Sequence, residues 1–199
     1  MKLIYGARTA LRRFEERMTD AEVSRLYKWG RDADVLRWSG GSPTELSEYD
    51  FGEHIRAERL YGPTNRRAYL IFAREPHNHL ELIGRLGIFG IDWDKRQGEL
   101  GIVIGEKNYW GRGYGRDAVH TLVHHIFTTS SLNRVYLYTF ADNYRAQHAF
   151  TAAGFREVSR GKRYTPDIGE FDGIEMQVTR ADFEEGLFSP AAQTPHTAE

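Results

Sequence analysis

The sequence contains no cysteine among its 199 residues. That removes disulfide scaffolding, thiolate nucleophiles and cysteine-ligated metals from consideration. No apolar run comes near the roughly 20 residues that span a bilayer. The first 14 residues carry Lys2, Arg8, Arg12 and Arg13 but no long apolar segment, so a signal peptide is not expected. Neither sign of charge is in excess: 27 Lys and Arg stand against 28 Asp and Glu, a formal net charge of −1. Nothing in that balance pulls the chain toward nucleic acid or an anionic membrane. Repeats of solenoid length are also absent. What is present, 40% hydrophobic and 28% charged residues, suits a globular protein expected in the cytoplasm.

Residues 189–199 lack periodic apolar positions, so one domain is expected over residues 1–182, followed by a flexible tail over 183–199. Within that domain strands and helices alternate. Residues 10–14 read as a first strand, and Thr19 with Glu22 matches a capping box at a helix start. Gly30 ends that helix, a short helix is expected over 32–38, and another over 44–60. Strands are expected over 68–73, 82–91 and 99–104, the last two joined as an antiparallel hairpin by the turn at Asp92 to Lys95. Residues 115–127 form the strongest helix, with Ala118, Val119, Leu122, Val123, Ile126 and Phe127 at helical spacing. A strand over 134–140, a helix over 144–153 and strands over 155–163 and 174–178 complete the order. The pattern argues for an α+β fold with a mixed sheet.

The most informative stretch is Trp110-Gly111-Arg112-Gly113-Tyr114-Gly115, where a strand leads through three alternate glycines into the long helix. Glycine lets backbone approach a ligand closely, and the first amides of a helix are unpaired and positively polarised. Together they suit a pyrophosphate, with Arg112 and Arg116 adding charge. A P-loop would need Lys-Ser/Thr after its last glycine, where Arg116 and Asp117 stand. A dinucleotide fingerprint needs another glycine spacing and the first strand of its sheet. Neither fits.

These residues resemble the acetyl-CoA motif of the GNAT superfamily of N-acetyltransferases, Gln/Arg-x-x-Gly-x-Gly/Ala, at Gly113 and Gly115, with Trp110 at the Gln/Arg place. Asn143-Tyr144-Arg145-Ala146, followed by Phe150-Thr151-Ala152-Ala153-Gly154-Phe155, is similar to the superfamily's second signature. The Tyr-Trp-Gly-Arg-Gly-Tyr wording is similar to the branch holding ribosomal-protein N-terminal and spermidine acetyltransferases. The resemblance covers about residues 11–178. It implies a mixed, mostly antiparallel central sheet flanked by helices, with acetyl-CoA as co-substrate and no metal. The expected activity is acetyl transfer to a primary amine by direct attack in a ternary complex. The acceptor is a small-molecule amine or a protein N-terminus, and a homodimer is expected. An acyl-CoA-binding sensor without turnover is the alternative.

That reaction needs a base for the amine, stabilisation of an oxyanion and a proton for the leaving thiolate. Glu99 is the candidate base through water; a hairpin-end carboxylate pairing with Lys95 or Arg96 explains it equally. Where the superfamily often has an acidic tyrosine this chain has Phe150, so Tyr144 or Tyr164 is the substitute candidate, or water itself. The resemblance places Ile102, Val103, Ile104, Trp110, Gly111, Arg112, Gly113, Tyr114, Gly115, Arg116, Asn143 and Arg145 at the cofactor. Trp38, Ser39, Arg85 and Glu99 are candidate acceptor contacts. His120, His124 and His125 lack a metal-binding pattern and read as the solvated face of the long helix.

Overall fold

The computed structural model describes residues 2–14, 17–61, 64–165 and 168–186, the side chains of 59–61 excepted. Thr19 and Glu22 act as their spacing predicts: the Glu22 amide donates to Thr19 Oγ1 at 3.2 Å and the Thr19 amide to Glu22 Oε2 at 2.8 Å. They start α1 (Asp20–Trp29), which ends at Gly30. Asp32 caps α2 (Ala33–Ser39), which stops at Gly40 with φ 69°. α3 (Glu48–Tyr61) begins later than expected, because the Thr44 amide is tied to Gly30 O at 3.0 Å and Ser47 Oγ takes the Asp50 amide at 3.1 Å.

The strands are β1 (Leu3–Tyr5), β2 (Thr9–Arg13), β3 (Arg67–Arg74), β4 (Leu80–Asp92), β5 (Gln97–Ile104), β6 (Arg134–Phe140), β7 (Arg156–Thr165) and β8 (Gly169–Thr179). They form one sheet in the order β1-β2-β3-β4-β5-β6-β8-β7. All neighbours are antiparallel except β5 and β6, whose parallel pairing requires a crossover. α4 (Tyr114–Thr129) is that crossover, and α5 (Tyr144–Ala152) joins β6 to β7. The β4–β5 hairpin turns as predicted, with Asp92 Oδ1 accepting from the Asp94 and Lys95 amides at 3.1 and 2.9 Å.

Each sheet face has its own apolar layer. Ala118, Val119, Leu122, Val123, Ile126 and Phe127 of α4, with Phe150 of α5, pack on Ile83, Leu86, Ile88 and Leu100. Val23, Leu26 and Trp29 of α1, Val35 of α2 and Ile55 of α3 pack on Leu70, Phe72 and Leu82 across the other face. Those helices cover the half of the sheet holding β2 to β5.

Four short elements escaped the sequence reading: β1, α6 (Arg180–Glu184) and single 3-10 turns at Pro76–Asn78 and Lys107–Tyr109. α6 crosses the boundary expected after residue 182, and Phe183 stacks on His124 and Phe127 at 5.3 and 5.7 Å. The packed chain therefore extends beyond 182; residues 187–199 of the expected tail lie outside the described residues. The histidines are not one solvated face either. His124 is exposed, but His120 and His125 are half-buried, and His125 meets the Tyr69 ring edge-on at 6.3 Å.

Candidate active site

β5 and β6 pair only at Gln97↔Arg134, Gly98↔Val135 and Glu99↔Tyr136. Beyond Glu99 they diverge, leaving the β6-facing backbone groups of β5 from Leu100 onward without a strand partner. A cleft of about 730 Å³ opens in that fork. Ile102, Val103 and Ile104 line it.

At one end stands the start of α4. Gly111 and Gly113 have φ of 71° and 83°, conformations that favour glycine. Gly115 has ordinary φ; a Cβ there would rest 3.8 Å from Ile104 Cγ1. No side chain caps the helix, so its first amides are free for an anion. Arg112 and Arg116 line this end, joined by Arg8, which sequence reasoning missed. Arg8 arrives from the β1–β2 turn, held by Asp117. The Asp117 carboxylate accepts from the amides of Ala7, Arg8 and Thr9 at 3.1, 3.0 and 2.9 Å and from Thr9 Oγ1 at 2.7 Å.

Trp110 donates its indole N–H to Ile104 O at 2.7 Å, fastening the glycine loop to the end of β5. The Arg145 guanidinium lies 4.4 Å from the Trp110 ring centroid, and both residues line the cleft. Asn143 is buried in the wall, its Oδ1 capping α5 by accepting from the Ala146 amide at 3.2 Å. Its side-chain NH2 is the group left for a ligand.

At the vertex lies Glu99, half-buried, its carboxylate forming no hydrogen bond or ion pair with a described residue. Burial alone pushes its carboxyl above the ordinary carboxylate range. The carboxylate that could have shared its surroundings is neutralised: Glu175 meets Arg134 at 2.5 Å and Arg163 at 3.3 Å. These guanidiniums stack 4.6 Å from the Tyr136 ring and 4.7 Å from the Tyr138 ring. Lys95 and Arg96 do not pair with Glu99; Lys95 meets Asp92 at 3.3 Å.

Trp38 and Ser39 line the cleft from α2, Trp38 packing edge-on against Phe140 at 6.2 Å. Three expected residues are placed differently. Tyr144 opens α5 with 66% of its surface exposed and lies outside the lining of the cleft, although its neighbours Asn143 and Arg145 belong to it. Tyr114, 6% exposed, is core, its ring 5.0 Å from that of Tyr109, so only its backbone belongs to the anion site. Arg85 does not line the cleft; it lies one strand away, opposite Val103. Tyr164 is also exposed, at 73%. Phe150 is buried against Phe155 at 6.0 Å and forms part of the cleft wall. Tyr138 was missed, although alternation in β6 places it on the Glu99 face two residues beyond Tyr136.

The acetyltransferase (GNAT) domain family matches residues 8–156. An uncharacterised N-acetyltransferase of Bacillus licheniformis, p20, is 32% identical over 137 residues, covering 68% of this chain and 71% of its own. Spermidine N(1)-acetyltransferase of Vibrio cholerae is 29% identical over 132 residues, covering 66% and 72%. The crystal structure of spermidine N-acetyltransferase from Vibrio cholerae with CoA and spermine superposes with a TM-score of 0.73 at 18% identity, covering 89% of this chain and 99% of that one.

Proposed function

The chain belongs to the GNAT acetyltransferase family and is an acetyltransferase, and from that premise we propose that it moves acetyl from acetyl-CoA to a primary amine within a ternary complex. The observation that carries the reading is the fork beyond Glu99, which leads unpaired β5 backbone straight to an uncapped helix start flanked by three arginines. The residues fit such a donor: free amides at α4 suit its pyrophosphate, and unpaired groups on β5 suit a strand-like, amide-bearing arm. Acetyl-CoA supplies an acyl group activated as a thioester.

Arg8, Arg112 and Arg116 hold the anionic end, and Asn143 and Arg145 bound the middle. Glu99, through water, takes the proton of the incoming ammonium; its raised pKa brings it closer to neutrality, where a base is most effective. Tyr138 stands at the fork as the phenol placed to give the sulfur a proton, replacing the hydroxyl that Phe150 lacks. Its phenol carries a proton at neutral pH and is available as a donor. The reaction is expected in the cytoplasm.

Incubating the chain with acetyl-CoA and a panel of primary amines, and following free thiol, tests the reading. Amine-dependent thiol release is expected. Phe150 favours one other reading, a CoA-binding sensor. Tight CoA binding with no release on any amine would establish that one instead.

A further inference from the structure

The β4–β5 registers Phe89↔Glu99, Gly87↔Gly101 and Arg85↔Val103 place these six residues on one face of the sheet. It is the face covered by α1 to α3, because Arg85 also pairs with Leu70 of that apolar layer. The middle of the strip is flat. A Cβ at Gly87 would meet Arg67 O at 2.7 Å and Phe89 Cζ at 3.0 Å, and one at Gly101 would meet Phe89 Cε2 at 3.2 Å. The Phe89 ring therefore lies over both glycines, still 39% exposed.

Each end of this strip carries a charged side chain that forms no direct ion pair with a described residue. Glu99, at one end, has no cation. Arg85, at the other, makes no hydrogen bond or ion pair with a described residue. Its side chain reaches water yet is hemmed in by protein, with Glu58 and Arg66 its charged neighbours. Glu58 is already bonded to Arg66, so the three groups together keep one net positive charge at this end. Four residues at about 3.3 Å each put the two ends roughly 13 Å apart along the strands, so a ligand whose end groups contact both side chains spans on the order of 10 Å.

Resting on the transferase reading, we propose that this strip is the acceptor groove and that it selects an amine carrying an acidic group on the order of 10 Å from the reactive nitrogen. The ammonium approaches Glu99, the body of the acceptor lies across the Phe89 ring that covers the two glycines, and the acid meets the Arg85 fork. A polyamine is disfavoured, since its second ammonium would face Arg85.

The matched acceptors are Ala-Ala-Glu-amide, Ala-Ala-Gln-amide and Ala-Ala-Lys-amide as peptides, and 8-aminooctanoate against octylamine as small molecules, with spermidine as the polycation. In the native chain kcat/KM should favour the acidic member of each set by about 10- to 100-fold, the range of one charge-assisted hydrogen bond. Preference within the peptides alone or the small molecules alone identifies the source of the acid. Arg85→Glu should abolish or reverse the preference, acting on KM more than on kcat. If the ratios are the same in native chain and variant, or spermidine is preferred, the inference is overturned. Should Arg85→Glu fail to bind CoA, Arg85→Gln takes its place. Calorimetric titration of Ala-Ala-Glu-amide into CoA-loaded protein provides a second readout that needs no turnover. Binding that weakens at least 10-fold on losing Arg85 supports the groove even if no amine is acetylated, a result that would sink only the transferase reading. Binding indifferent to Arg85 sinks the groove whatever the turnover.

Discussion

A carboxylate at the vertex of the β5–β6 fork leaves water without gaining a cation, so Glu99 holds its proton more tightly in the folded chain than in the unfolded one. The folded state then binds more protons between the ordinary carboxylate pKa and the raised one, and stability falls as pH rises through that window. Activity runs the other way, since only the deprotonated carboxylate is a base. Glu99→Gln should thus lower kcat/KM by about 10²- to 10⁴-fold and flatten the acid limb of the pH–rate profile. It should also raise Tm at pH 7 relative to the native chain while leaving it nearly unchanged at acid pH. An unaltered pH–rate profile would remove Glu99 from the base role. Tyr138→Phe is the companion: slower turnover at saturating acceptor is expected, and an unchanged kcat would return the proton to water.

Among the elements, α4 shows how the site is braced. Its first turn carries Asp117, whose four hydrogen bonds fix the β1–β2 turn and so aim Arg8 at the anion end. Asp117→Ala strips those donors of their acceptor, a loss of about 1–3 kcal/mol. At roughly 2–4 °C per kcal/mol for a chain of this size, Tm should drop by about 2–12 °C. CoA affinity should weaken as well, because Arg8 loses its tether. Unchanged Tm and unchanged affinity together would refute the brace.

The same helix explains which features were legible beforehand. Its glycines, its apolar spacing and the capping box of α1 are local signals, read from neighbours in sequence. β1 and α6 are too short to establish a period, and they form because β2 and Phe127 lie waiting for them. Tyr144 and Tyr114 stand inside recognisable motifs, but the motif says nothing of how a helix is rotated on its sheet. Arg8 and Tyr138 reach the cleft from segments remote in sequence. The face of Arg85 depends on the register shift between Ile71 and Phe72, which only strand pairing reveals.

For the whole molecule, the fork divides the sheet into β1 to β5 and β6-β8-β7, joined across three residue pairs and by α4. A ligand lying in the fork touches both parts and should stabilise them jointly. CoA at 100 times its Kd should contribute about 2.7 kcal/mol, raising Tm by about 5–11 °C. No rise at saturation would mean that CoA does not occupy the fork. In mechanical terms the three pairs at residues 97–99 are the ladder rungs between two plates that also share the apolar core under α4. Beyond the last rung no ladder pairing joins β5 to β6 where the chemistry is proposed to happen, and Glu99 is that last rung. A wedge seated between the plates would set the angle at which that carboxylate meets its substrate.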